Sequence, residues 1–235
     1  MPLTPEELAG SAAAAVAAGA EAVHLHPRRA DGLESLLSAD IAAAVTAVRQ
    51  ACPDTPVGVS TGLWITRGDP AARRSAVAAW ADIPVAARPD FASVNLSEPG
   101  WAELCGVLQS AGIAAEAGVW SVADADQLAD AGEAVDWLRI LVEIIDVRAG
   151  KAVAAADDVL RRLDELNITA PRLLHGEGAA CWLLVAHAGA LGLPARIGLE
   201  DTTAGPDASA VRDNAELVRL ALQIWSRSAA RAAPQ

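Results

Sequence analysis

The sequence predicts an α/β protein of the TIM type: a (β/α) barrel lacking its first strand, with seven recognisable strands, in a single domain over residues 1–235. Three observations predict it. Short β-branched or apolar runs alternate with longer Ala/Leu-rich segments of helical period, the pattern of repeated βα units around a parallel sheet. Polar residues gather at the C-terminal end of nearly every predicted strand, where barrel enzymes carry their chemistry. Finally, a chain of 235 residues that is 53% hydrophobic can bury one sizeable core, and it has no Pro/Ser-rich linker, low-complexity block or abrupt charge run.

The chain opens on a helix, Pro5 to Ala18: Thr4 with Glu7 three residues later is a capping-box signal, and Pro5 suits the first helical position. Strands are predicted at Ala22 to His26, Pro56 to Thr61, Phe91 to Leu96, Ala114 to Trp120, Trp137 to Glu143, Arg172 to Gly176 and Ala195 to Leu199. Helices fill the intervals at Ala39 to Ala51, Pro70 to Ala81, Gly100 to Ala111, Val122 to Asp130, Lys151 to Asn167 and Ala179 to Leu191, and a last one runs from Ala208 to Ser228. A helix ahead of the first strand is unusual for an eight-stranded barrel, which begins with a strand. A doubly wound open sheet is the alternative, and the polar strand ends favour the barrel.

A net charge of −12, from 30 acidic and 18 basic residues, argues against a nucleic-acid partner, because nothing compensates phosphate charge along a surface. Cys52, Cys105 and Cys181 are widely spaced without a C-x-x-C pair, and read as packed thiols in a reducing compartment. With no secretory leader and no apolar run near the ~20 residues of a membrane span, the expected location is the cytoplasm.

The strand-end polar residues are His24 and His26; Ser60; Asn95 and Ser97; Glu116; Glu143; His175 and Glu177; then Arg196, Glu200 and Asp201. Residues two apart on a strand share a face, so His24 and His26 point together into the barrel while Val23 and Leu25 point under the helices. Two imidazoles at this spacing lie about 7 Å apart at Cα. Both can reach one ion at about 2.0 Å per bond. The alternative is a pair of barrel-lining histidines satisfied by hydrogen bonds. A catalytic zinc site needs a third protein ligand: Glu200 is the first choice, with Glu116 and His175 as competitors, and a helix-entry cap is the other reading of Glu200 and Asp201. Zn, Co, Ni and Mn all accept two imidazoles and a carboxylate.

An inward Arg196 needs a carboxylate partner, with Glu116 or Asp201 in reach of the reading, and a structural ion pair bracing the barrel is the plainer version. The run His175-Gly176-Glu177-Gly178 stands at a strand-to-helix junction where glycines let backbone N–H groups approach an anion, although such runs are more often tight turns. Trp64 and Trp120, just past strand ends, are candidate pocket walls, while His187 falls inside a helical Ala/Leu pattern and reads as structural.

The segments Pro2 to His26 (LTPEEL…AGAEAVHLHPR), Val59 to Gly62 (VSTG), Phe91 to Ser97 (FASVNLS), Ala115 to Trp120 (AEAGVW) and Ala195 to Thr202 (ARIGLEDT) resemble the β-keto acid cleavage enzyme family, in order and over nearly the whole chain. The resemblance implies a Zn²⁺-dependent acyltransferase that condenses a β-keto acid with acetyl-CoA to give acetoacetate and a new acyl-CoA, and a homo-oligomer. It implies His24, His26 and Glu200 as metal ligands, Ser60 and Ser97 as holders of the substrate carboxylate, and Glu116, Arg196 and Asp201 as the charged group that handles the proton. Asn95, Trp64, Trp120, His175 and Glu177 complete the candidate substrate-binding set. The metal would polarise the keto oxygen, a carboxylate remove the α-proton, and the arginine keep that carboxylate ionised and aimed.

The sequence departs from the family pattern at three places. The family carries a strand with an acidic residue ahead of the T-P-E-E helix, for which this sequence has no counterpart, so the expectation is a longer gene product or a partner covering the gap. Leu63 and Trp64 follow Gly62 where the family has a second glycine, and His175-Gly176-Glu177-Gly178 replaces its strand-seven motif. Two other functions are compatible with parts of the pattern. A metal-dependent hydrolase of the amidohydrolase type also opens on His-x-His, but needs more strand-end histidines and usually a lysine, and this chain holds one Lys, Lys151. A catalytically degenerate metabolite-binding barrel follows from the absent strand.

Overall fold

A computed structural model describes residues 1–132 and 135–232. Its elements alternate as α1 (Pro5–Ala17), β1 (Val23–Leu25), α2 (Ser38–Ala51), β2 (Val57–Ser60), α3 (Pro70–Ala78), β3 (Phe91–Asn95), α4 (Trp101–Ser110), β4 (Ala114–Val119), α5 (Val122–Ala131), β5 (Trp137–Ile144), α6 (Ala149–Glu165), β6 (Arg172–Gly176), α7 (Cys181–Leu191) and α8 (Asn214–Ala232). This is a parallel α/β fold whose strand order follows the chain from β1 to β6. The chain forms two compact units, Met1–Ala117 with Ala131–Leu138, and Gly118–Asp130 with Arg139–Gln235.

In the first unit β1, β2 and β3 run parallel with His24 opposite Gly58, Leu25 opposite Val59, Gly58 opposite Phe91 and Ser60 opposite Ser93. Register partners share a face, so one face carries Leu25, Val57, Val59, Ala92 and Val94. These pack with the buried stripe Ile41, Ala44, Val45 and Val48 of α2 and with Leu104 and Leu108 of α4 in a continuous core. The opposite face carries His24, Gly58, Ser60, Phe91, Ser93 and Asn95, which confirms the parity read from the sequence. The capping box also forms: Thr4 Oγ1 accepts from the Glu7 amide at 3.2 Å, and Glu7 Oε2 accepts from the Thr4 amide at 3.3 Å.

In the second unit β5 and β6 pair in parallel, Leu141 opposite Leu173 and Glu143 opposite His175. The apolar stripe of α6 is Ala152, Ala156, Val159, Leu160 and Leu163. Helix α7 packs on β6 and on α8, and the α7–α8 approach is close enough that a Cβ on Gly189 would stand 2.4 Å from the Trp225 carbonyl oxygen. His187 is structural, as read: its Nε2 lies 2.6 Å from Asp157 Oδ1, tying α7 to α6. All three cysteines are buried free thiols.

Among the described residues there are six strands, where seven were expected. The segment Ala195–Leu199 makes a single bridge, Ala195 to Leu174, with Leu174 N donating to Pro194 O and Arg196 N to Leu174 O. The chain then turns: the amides of Asp201 and Thr202 both donate to Gly198 O, and the Leu199 amide is taken by Asn214 Oδ1 at 2.8 Å. The turn closed on Gly198 O thus ends the pairing with β6 after one bridge. The last helix begins at Asn214 and not Ala208, because residues 203–211 form a tight loop with Ala208 at φ 64° and Gly205 N bonded to Ser209 O. β1 ends at Leu25: Pro27 has no N–H to extend the ladder, and its carbonyl instead accepts from Ser35 N at 2.9 Å. Among the described residues no helix is long and apolar enough to cross a membrane.

Candidate active-site residues

The first unit places His24 and His26 side by side at the end of β1, rings 5.2 Å apart between centroids in an edge-on arrangement. His26 stacks on Trp64 at 6.4 Å and 17°. Gly58, the register partner of His24, has no room for a side chain, since a Cβ there would lie 2.1 Å from the Phe91 ring. Gly62 has the same role under Trp64, whose indole a Cβ would meet at 2.1 Å.

Glu34 joins this group and was not singled out in the sequence. Its Oε1 lies 3.3 Å from His26 Nδ1 and 3.2 Å from Arg28 Nη2, and its Oε2 accepts from Trp64 Nε1 at 2.7 Å. The His26 hydrogen bond holds the Glu34 carboxyl below the usual carboxylate range against the opposing effect of burial. Glu34 and Trp64 line a cavity of about 600 Å³ together with Arg28, Arg29, Leu33 and Arg67.

A second group in this unit closes the ends of β2 and β3. Glu98 accepts from the Leu63 amide with both oxygens at 3.1 Å and from Asn95 Nδ2 at 3.1 Å, and it pairs with Arg73, which is 1% exposed. Arg73 also donates to Pro99 O at 2.7 Å. This buried ion pair fixes the loop after Ser60, whose Oγ accepts from Gly62 N at 3.2 Å. Ser97 lies exposed in the turn beyond β3, and Glu116 is buried within β4. Arg73 and Glu98 were also missed: one sits in a polar helix stretch, the other before Pro99, and only the folded chain brings them together.

The second unit assembles a charged group around His175. Its Nδ1 is hydrogen-bonded to Glu143 Oε1 at 2.9 Å, and its Nε2 forms an ion-pair contact with Asp201 Oδ1 at 2.8 Å. Trp120 Nε1 donates to Glu143 Oε2 at 2.7 Å, so this indole holds a carboxylate and is more than a pocket wall. Arg196 Nη2 lies 2.8 Å from Glu200 Oε2 and 3.9 Å from Asp201 Oδ1. The closer partner of Arg196 is therefore Glu200, and the closer partner of Asp201 is His175. Burial opposes a charge on His175, yet the Asp201 and Glu143 carboxylates outweigh it and raise its pKa to about 9. Burial likewise opposes ionisation of Glu143, but His175 and Arg196 bring its pKa below the usual carboxylate value.

His175 thus faces a carboxylate with each ring nitrogen, hydrogen-bonded to Glu143 through Nδ1 and in ion-pair contact with Asp201 at Nε2. The Gly178 amide donates to the Asp201 carbonyl at 2.8 Å and fixes the aspartate backbone. Glu177 is exposed beside it.

For a divalent ion the donor types are suitable and the placement is partial. His24 and His26 supply a pair of imidazoles, and Glu200 is held by Arg196. Among the described residues no group of three or more His, Cys, Asp or Glu is placed to hold a metal ion.

A parallel α/β fold with carboxylates and imidazoles at its strand ends defines a class of α/β proteins that gather polar groups on the C-terminal side of a sheet. Within that class the profile of the beta-keto acid cleavage enzyme family matches residues 1–234, and the chain belongs to this family. The structure is similar to the binary complex of ObcA with oxaloacetate (TM-score 0.74, 18% identity) and to the ternary complex of ObcA with C4-CoA adduct and oxalate (0.72, 19%), each covering 94% of this chain and 63% of that chain. The chain thus spans less than two thirds of the ObcA length. The fold is also similar to that of 3-dehydroquinate dehydratase from Geobacillus kaustophilus HTA426, with TM-score 0.63, 13% identity, and coverage of 96% and 90%.

Proposed function

We propose that the chain cleaves a β-keto acid with acetyl-CoA, transferring the keto acid's acyl group to coenzyme A and releasing acetoacetate. The observation that carries this reading is the family match over residues 1–234, on a chain that retains His-x-His, Ser60, Glu116 and the Arg196–Asp201 segment in order. The hard step is loss of the α-proton: the C–H bond breaks, its electron pair moves into the carbonyl as an enolate, and the proton passes to a carboxylate. Asp201 is that base. It is 5% exposed, and its Oδ2 has no hydrogen-bond partner among the described residues.

Glu116 and Arg196 complete the charged group around this step, Ser60 and Ser97 hold the substrate carboxylate, and Asn95, Trp64, Trp120 and Glu177 contact the rest of the substrate. A divalent ion, zinc first, would be held by His24 and His26 with Glu200 as third donor; when bound it supplies Lewis acidity to the keto oxygen. The protein acts as a cytoplasmic homo-oligomer in this reading. The test is acetoacetate formation from acetyl-CoA and a panel of β-keto acids, with elemental analysis of the purified protein. Turnover that tracks bound metal supports the reading, and a metal-free, silent protein overturns it.

A further inference from the structure

We infer that His175 is the residue that aims Asp201: clamped between Glu143 and Asp201, its imidazolium fixes Oδ1 of the aspartate and leaves Oδ2 as the end that takes the substrate proton. The inference rests on the β-keto acid reading above and assigns within it a positioning role that the family resemblance implied for Arg196.

Two short carboxylate contacts favour a doubly protonated ring. A neutral imidazole carries one N–H and one lone pair. With a carboxylate oxygen hydrogen-bonded at 2.9 Å to Nδ1 and another in ion-pair contact at 2.8 Å from Nε2, a neutral ring would leave one buried carboxylate without a cation beside it. The side chain is 2% exposed, so water does not screen that charge. The charged groups facing it are Glu143 from β5, and Asp201 and Arg196 from the segment beyond β6. From α7, Cys181 is neutral, its thiol pushed up to about 12 by burial and donating to Gly176 O.

The clamp is itself held at both ends. Glu143 is fixed by register to His175 and by hydrogen bond to Trp120 Nε1. Asp201 is fixed through its carbonyl to Gly178 N and through its amide to Gly198 O. Arg196 stands 3.9 Å from the aspartate and is engaged by Glu200, so it contributes field without setting direction. In the proton transfer the substrate C–H bond breaks, the electron pair enters the carbonyl, and the proton binds Oδ2 while Oδ1 stays on His175. No oxidant, reductant or further reactant is needed.

The test pairs an NMR titration with kinetics on the full chain. Imidazole ¹H–¹³C signals of the four histidines are followed against pH without ligand, His175 being assigned by its loss in His175→Gln. The expected result is a doubly protonated His175 at pH 7 that deprotonates near pH 9. In deuterium exchange at the substrate α-carbon, His175→Gln should lower kcat by roughly 10–100-fold, with KM within about twofold, and remove the alkaline limb near the same pH. A neutral imidazole at pH 7, or a folded variant that keeps the wild-type kcat and limb, overturns the inference. Should His175→Gln not fold, Glu143→Gln keeps the ring: the NMR midpoint and the alkaline limb should move down together, and movement of one alone overturns it. A wild-type protein inert to every β-keto acid overturns the functional reading, and with it the catalytic role; this is told apart by the titration, which needs no substrate.

Discussion

Asp201 turns Oδ1 toward His175 Nε2 at 2.8 Å, and Arg196 stands more than an ångström further from the same oxygen. The sign of the resulting pH dependence follows from the raised pKa. In the unfolded chain His175 titrates near 6.5 and in the folded chain near 9. The folded state therefore binds this proton more tightly, and the stability it adds is full below pH 6.5 and is lost as pH rises through 9. Thermal unfolding at a series of pH values should show the midpoint falling across this window in the wild type, with a flatter slope in His175→Gln.

The Arg73–Glu98 pair should behave as a buried ion pair does when broken on one side. Glu98→Ala leaves a guanidinium that is 1% exposed without its anion and frees the Leu63 amide, at an expected cost of about 3–5 kcal/mol in urea unfolding. Replacing both residues together, Arg73→Met with Glu98→Leu, should recover a large part of that loss.

Two glycines should respond to alanine in opposite directions. Gly189→Ala drives a Cβ into the Trp225 backbone, which belongs to α8 and has no rotamer with which to yield, so a loss of about 1–3 kcal/mol is expected. Gly10 lies in α1 with nothing within 4 Å of its Cβ position, and alanine there should add about 0.5–1 kcal/mol. Denaturant midpoints of the two variants check both.

Glu34 faces Nδ1 of His26, the position from which a carboxylate orients a metal-binding imidazole and presents its Nε2. If zinc is held as proposed, Glu34→Gln should weaken its binding by roughly 10–100-fold in a calorimetric titration, while His24→Ala abolishes it. Equal affinity in Glu34→Gln and wild type would remove Glu34 from that role.

The sequence made the repeating framework legible because strand parity is a local property: Val57, Val59 and Val94 alternate with Gly58, Ser60 and Asn95, and the register bears this out. His24 and His26 were visible for the same reason. Glu34, Arg73 and Glu98 were not, since each meets its partner across a loop or between helix and strand end, with no periodicity to mark it. The seventh strand was read from the apolar residues of Ala195 to Leu199, and was lost to the turn in which the Asp201 and Thr202 amides close on Gly198 O. His175 was visible as a residue but not in its role, because that depends on which carboxylate lies nearer and no spacing encodes it.

The Glu143–His175 contact also bears on how β5 and β6 find each other. A slip of one residue would set Glu143 beside Leu174 or Gly176, leaving a carboxylate and an imidazole in the interior without each other. Neighbouring apolar pairs such as Leu141 and Leu173 tolerate such a shift far better, since one hydrocarbon face resembles another. The polar pair therefore acts as an indexing pin during folding, penalising every alignment of the two strands except the native one.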